Sequence, residues 1–199
     1  MSIKEINRIC DLEYYLDRYG AFHTKKALRA LANTFGINNF SIDANYHMSV
    51  EGNVEISHYF IKQLPIQFKE VRGDFKVAFT HITTMQGYPQ IIGGNFESNS
   101  NCISSLEGLP QKVGKDCYLV ETKTIEDLEF NCDEIVIGEK LTSITRHLPP
   151  EMNAYAYHLK DGYYSFTMPY SEHQAIMLKD KLHAHLNMNE VRNKIKRKI

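Results

Sequence analysis

Apolar residues recur along this chain with a fixed period, so that three stretches align without gaps at a spacing of 21 residues. Each stretch has four apolar positions in common with the others, the last of which is aromatic or cysteine. These positions are Ile61, Ile82 and Ile103; Leu64, Met85 and Leu106; Val71, Ile92 and Val113; and Phe75, Phe96 and Cys117. A repeat of this length is typical of a solenoid.

The same pattern extends in both directions. One period upstream, Gly52 and Val54 repeat the glycine and apolar positions, and downstream Ile125 and Leu128 restart the pattern with one extra residue. Stacked repeats need at least about three units to bury a continuous core. The four to five coils visible between Gly52 and Leu148 are therefore enough for a solenoid.

Alternation within each unit predicts a short strand. In Phe75-Lys76-Val77 the two apolar side chains should point inward and the lysine outward. Strands stacked one per coil predict a parallel sheet on one side of the solenoid. The Ile-x-x-Leu spacing predicts a single turn of tight backbone, and the return leg, with Gly87 and Pro89 at its corners, is expected to be irregular.

The segments that flank the repeats have different patterns. From Ile3 to about Phe35, apolar spacing predicts two short helices. We interpret them as a cap rather than as a DNA-binding helix-turn-helix, because an open solenoid end has to be covered. After the repeats, two aromatic runs around Asp161-Gly162 predict a β-hairpin. A helix is predicted from about Ser171, and its basic end complements the helix dipole.

The third repeat resembles a known family. From Phe96 to Gly114 it reads FESNSNCISSLEGLPQKVG, which is similar to the short leucine-rich-repeat-like coils of tailed-bacteriophage proteins. The lead-in from Ile37 to Ser57 resembles the segment that precedes such coils. The resemblance implies a solenoid and a phage origin. It leaves the activity open, because such folds are scaffolds for many different sites.

Taken together, these patterns predict an α+β fold. A helical N-terminal cap is expected over residues 1–36, and a short leucine-rich-repeat-like solenoid with a parallel sheet over residues 37–148. A C-terminal hairpin plus helix is expected over residues 149–199.

Composition indicates a small intracellular protein. The chain has 199 residues, of which 43% are apolar, enough for one extended domain. No apolar run approaches the roughly 18 residues of a membrane span. The first residues, Met1-Ser2-Ile3-Lys4-Glu5, lack the apolar stretch of a signal peptide. We therefore expect cytoplasmic localisation, in the host cell if the chain is phage-encoded. The four cysteines include no C-x-x-C pair, and Cys117, at a phenylalanine position, is expected to be a small buried hydrophobe.

Motifs for catalysis and cofactor binding are absent from the sequence. There is no H-E-x-x-H, G-x-x-x-x-G-K, G-x-S-x-G or strand-associated G-x-G-x-x-G. We expect no catalytic residue, no metal and no cofactor. Among the nine histidines, His158, His173 and His183 could still converge. A small hydrolase around His158 and His173 therefore remains an alternative.

The repeat also predicts which side chains face outward from the strands. They form three columns: Asn53, Asp74, Asn95 and Asp116; Glu55, Lys76, Glu97 and Tyr118; and Ser57, Ala78, Asn99 and Val120. Solenoids commonly bind partners on such a face. We predict partner contacts at Asn53, Glu55, Asp74, Lys76, Asn95, Glu97, Asn99, Asp116 and Tyr118. The aromatic C-terminal hairpin is the alternative surface.

These observations favour a non-enzymatic interaction module that binds a host protein or a phage assembly, or inhibits a host enzyme or defence complex. Membrane binding is not expected. A second alternative is a nucleic-acid-associated protein that uses the tyrosine-rich hairpin and the basic residues Lys194, Lys196, Arg197 and Lys198. The net charge of -1 argues against it, because the chain has no overall basic excess.

Overall fold

Two sheets of short stacked strands form the body of the protein in the computed structural model. The model describes residues 24–57, 59, 61–99, 102–103, 108–120, 136–145, 150–158, 164–176 and 178–179. Every coil contributes one strand to each sheet, so the chain winds as a β-solenoid with parallel sheets. The predicted solenoid is therefore confirmed.

Sheet I contains six strands among the described residues, in the order β1-β2-β4-β6-β8-β10. The strands are β1 Phe40–Ile42, β2 Met48–Val50, β4 Phe68–Val71, β6 Ile91–Ile92, β8 Lys112–Val113 and β10 Val136–Ile137. All pairs from β2 to β10 are parallel, whereas β1 pairs antiparallel with β2 at the N-terminal edge.

Sheet II contains seven strands in the described part of the chain, in the order β12-β13-β11-β9-β7-β5-β3. The strands are β3 Val54–Ser57, β5 Phe75–Ala78, β7 Phe96–Asn99, β9 Cys117–Val120, β11 Lys140–Thr145, β12 Ala156–His158 and β13 Tyr164–Pro169. The strands from β3 to β11 pair in parallel. The predicted hairpin, β12 and β13, is present and adds two antiparallel strands to this sheet.

The strand register confirms the 21-residue period. Val54, Phe75, Phe96 and Cys117 are successive partners in sheet II, which gives three regular turns. The next partner, Leu141, comes 24 residues after Cys117. This turn is longer by three residues, whereas one extra residue was expected, and the intervening residues 121–135 lie outside the described part of the chain.

Apolar side chains from both sheets fill the space between them. The predicted inward positions are almost fully buried, including Phe75, Val77 and Phe96 from sheet II and Val71 and Ile92 from sheet I. Each coil depends on its neighbours for stability, because its short strands pair only with strands of the adjacent coils.

The return leg differs from the expectation. It was predicted to be irregular, but its short strands β4, β6, β8 and β10 form sheet I. Stacking at a constant period brings Glu70 above Ile91 and Ile91 above Lys112, so their main chains pair. The predicted tight turn stays a prediction: the backbone bends at residues 62 and 63, and no helical turn is assigned over residues 61–64 or 82–85.

One helix, α1 (Lys25–Thr34), covers the N-terminal end of the core. The Thr24 side chain accepts a hydrogen bond from the Ala27 N–H and caps the helix. Leu28 and Leu31 are buried in the same cluster as the coil residues. This helix corresponds to the second predicted one; the first falls on residues 1–23, outside the described part.

The C-terminal region is joined to the solenoid through β13. It contains a 3-10 helix (Pro150–Tyr155) and helical residues 170–176 and 178–179, near the predicted start at Ser171. The Tyr170 N–H donates to the Glu139 carbonyl, which links this helix to the last described coil.

Candidate partner-binding surface

The central predicted column lies on the outer face of sheet II. Glu55, Lys76, Glu97 and Tyr118 are successive register partners, as the repeat predicted. Neighbouring strands in a sheet are about 4.8 Å apart. The four side chains therefore form one line across four coils.

Ion pairs connect three members of this line. The Lys76 Nζ atom lies 3.4 Å from Glu97 Oε1 and 3.9 Å from Glu55 Oε1. The Asn99 side-chain amide donates to Glu97 Oε1 at 2.9 Å. The Glu97 side chain is 30% exposed, compared with 65% for Glu55. Glu97 is thus held on two sides, while Glu55 is more free to move.

Tyr118 is the fourth residue of the line, with Thr142 as its partner on the next strand, and its aromatic ring is fixed. Its hydroxyl donates to Asp116 Oδ2 at 2.9 Å. That hydrogen bond to a carboxylate, with smaller contributions from burial and from the negative charges of Asp116, Glu97 and Glu139, raises the pKa of Tyr118. The hydroxyl group consequently stays protonated, and it keeps the ring in place beside Glu97.

The first predicted column has a structural role at the corner before each strand of sheet II. Asn53 Oδ1 accepts the Asp74 main-chain N–H at 2.9 Å, and Asp74 Oδ1 accepts the Asn95 N–H at 2.7 Å. Asn95 Oδ1 then accepts the Asp116 N–H at 3.2 Å, and Asp116 Oδ1 accepts the Lys140 N–H at 3.0 Å. We call these four Asn and Asp side chains the corner ladder. They join each coil to the next, while their partner contacts remain a prediction.

The third column is only partly outward. Ala78 was expected to face solvent and is fully buried, since β5 ends there and Phe79 follows with a positive φ of 54°. Ser57 and Asn99 are partly exposed residues. Their buried Oγ and Oδ1 atoms lack a hydrogen-bond partner among the residues that the structure describes. The side chain of Val120 is not among the described ones.

A shallow depression of about 240 Å³ brings most of the predicted residues together. Besides the main-chain neighbours Val54 and Phe75, it is lined by Asn53, Glu55, Asp74, Lys76, Asn95, Glu97 and Tyr118. Seven of the nine predicted residues thus line one concave surface, while Asn99 and Asp116 adjoin it through hydrogen bonds to Glu97 and Tyr118.

Of the three histidines that were considered for a hydrolase site, only His173 has a side chain that the structure describes. His173 is only 5% exposed, and its ring stacks on Phe166 at a centroid distance of 5.6 Å and on Tyr170 at 6.4 Å. Burial lowers the pKa of His173 to about 4. The imidazole is therefore neutral and packed at neutral pH. The side chain of His158 and all of His183 lie outside the described residues.

A second depression was missed by the sequence prediction. It has a volume of about 310 Å³ and lies along sheet I, where its polar lining includes His47, Gln67, Lys69, Gln86 and Gln90. Gln67, Lys69 and Gln90 lie in the return leg, which was expected to be irregular, and His47 lies in the lead-in. The pattern therefore offered no basis for placing them together.

Metal ligands do not converge in the described ranges, where no group of three or more His, Cys, Asp or Glu residues could hold an ion. Cys117 is buried, as expected, and Cys102 is partly exposed. Among the residues described, no helix is both long and apolar enough to cross a membrane.

Comparison with known proteins adds no functional assignment. No protein-family model, curated protein or solved structure matches this chain.

Proposed function

We propose that this protein is a non-enzymatic protein–protein interaction module whose partner binds the outer face of sheet II. The observation that carries the proposal is the line of Glu55, Lys76, Glu97 and Tyr118 along one concave surface. Charged and aromatic side chains on neighbouring strands can contact one partner at several points.

The rigidity of this surface supports the proposal. The four residues project from paired strands, and the corner ladder fixes the start of each strand. A surface that is already ordered loses little conformational entropy on binding. The aromatic ring of Tyr118 is of the type enriched among residues that dominate binding energy.

The nature of the partner follows from the resemblance to phage repeat proteins. A host or phage protein is the expected partner, and inhibition of a host enzyme or defence complex is the expected consequence. Nucleic acid is disfavoured, because the surface itself carries more carboxylates than amines.

The test is an affinity pull-down from a host-cell lysate, followed by mass spectrometry. The wild-type chain is compared with Tyr118→Ala and with the charge-reversed double variant Lys76→Glu and Glu97→Lys. A control carries Glu51→Gln, directly after β2, and Glu70→Gln, in β4 of sheet I. A partner that is lost with the sheet II variants and retained by the control supports the proposal.

A second control removes Lys194–Ile199. If this deletion abolishes capture while both sheet II variants retain it, the C-terminal region is the binding part and the proposal is wrong.

A further inference from the structure

The charges around the sheet II depression are unbalanced. Its lining includes three carboxylates, Glu55, Asp74 and Glu97, and one ammonium group, Lys76. Asp116 adds a fourth carboxylate beside the depression, where it accepts the hydrogen bond of the Tyr118 hydroxyl. The whole chain has a net charge of only -1, so this surface is more acidic than the molecule as a whole.

The one lysine is already shared. Lys76 contacts Glu55 and Glu97, its partners on either side. Between Glu97 and Tyr118, which are adjacent in register, the described lining contains no cationic side chain. The Glu97 carboxylate and the Tyr118 ring thus lie side by side, and none of the residues that line the depression places a positive charge between them.

A guanidinium group suits this position. It is planar, it pairs with carboxylates through a rigid set of donors, and it stacks on aromatic faces. An ammonium group is a compact point charge, so it cannot stack on the ring while it forms a two-point hydrogen bond with the carboxylate. The hydroxyl of Tyr118 is engaged by Asp116, which leaves the ring as its contact surface.

We infer that the sheet II face binds an arginine-bearing cationic segment of the partner, with a guanidinium between Glu97 and Tyr118. This inference rests on the proposed function and specifies the chemistry of the partner. Lys76 then acts as a competing charge: it partly neutralises Glu55 and Glu97 and weakens the binding of a cation.

The experiment measures fluorescence anisotropy of a labelled peptide of alternating arginine and serine. Matched peptides replace arginine with lysine, glutamine or glutamate. The arginine peptide should bind more tightly than the lysine peptide and far more tightly than the other two. Binding should weaken as NaCl rises from about 50 to about 300 mM, because exposed charges are screened.

Variants separate the contributions of individual groups. Glu55→Gln with Glu97→Gln should raise the Kd about three- to tenfold, and Tyr118→Leu should also raise it. The sheet I control, Glu51→Gln beside β2 with Glu70→Gln in β4, should leave the Kd within about twofold. Lys76→Met should lower the Kd about two- to fivefold, because it removes the competing ammonium group.

Three results would overturn the inference: weaker binding in Lys76→Met, equal effects of the sheet I and sheet II double variants, or preference for the glutamate peptide. The last result would leave the proposed docking face intact, provided that binding depends on sheet II. The proposed function itself fails only if sheet II variants capture the same lysate proteins as the wild type.

Discussion

The rings of Phe75 and Phe96 stack in the core, with their centroids 6.3 Å apart and their planes at 27°. Both side chains are completely buried. Tyr88 meets both rings edge-on, at 5.4 Å from Phe75 and 6.0 Å from Phe96. The equal register of the repeats predicted this stack. The aromatic cluster links strands β5 and β7 to Tyr88, which lies in the chain segment that connects them.

Replacement of Phe96 with Ala should lower the free energy of unfolding by about 3–5 kcal/mol, because it leaves a cavity beside two other rings. Urea denaturation followed by circular dichroism measures the change. Phe96→Leu, which keeps much of the volume, serves as the control and should lose less. Wild-type stability in Phe96→Ala would mean that the coil alignment is wrong.

Loss of one step of the corner ladder should also destabilise the fold. Asn95→Ala removes the acceptor for the Asp116 N–H and the donor to Asp74. A buried or partly buried group left without its partner costs about 1–3 kcal/mol. The control is made at Asn53, whose Oδ1 accepts the Asp74 N–H: Asn53→Asp keeps this acceptor and should lose less stability than Asn53→Ala in the same urea experiment. Equal losses for the two variants would argue against the ladder.

His173 should make stability depend on pH. The pKa of its folded form is about 4, below the unfolded value of 6.5, so the unfolded chain binds a proton first as pH falls. The stabilising contribution is complete above pH 6.5 and is lost between about pH 6.5 and about pH 4, by about 3 kcal/mol in total.

Urea melts at several values of pH across this interval test the prediction, with His173→Phe as the comparison. Phenylalanine can replace the imidazole between Phe166 and Tyr170 but cannot take up a proton. The variant should therefore lose most of the pH dependence. An unchanged slope would assign the effect to other groups.

Folding without a metal ion remains a prediction from the sequence. Structural zinc would make folding depend on the ion, and the sequence has no ligand set with zinc spacing. Thermal melts with and without EDTA should superimpose. A large fall in Tm with EDTA would contradict the prediction.

The period alone was sufficient to predict the stacking of Phe75 on Phe96 and the outward line from Glu55 to Tyr118. It could not predict sheet I. Strands such as Ile91–Ile92 have two residues, too few to show alternation, and they pair only because the neighbouring coils hold them in register.

The corner ladder was visible in the sequence but was interpreted as a solvent-exposed column. Its signal is the restriction of one position to Asn and Asp, which share an Oδ1 acceptor at the same distance from the main chain. Outward alternation assigns such residues to the surface. Only the three-dimensional stacking shows that their acceptors point along the solenoid axis to the next main-chain N–H.

Every step of the corner ladder joins an Oδ1 atom to the main-chain N–H of the equivalent residue in the next coil. The same hydrogen bond could therefore form if a different coil came next. Removal of residues 74–94 would bring Asn95 directly after Gly73, where its N–H could bond to Asn53 Oδ1 as the Asp74 N–H does now. Removal of one residue fewer would place a glycine in that position. Insertion or removal of a whole unit of 21 residues would therefore preserve the ladder and change the width of sheet II by one strand.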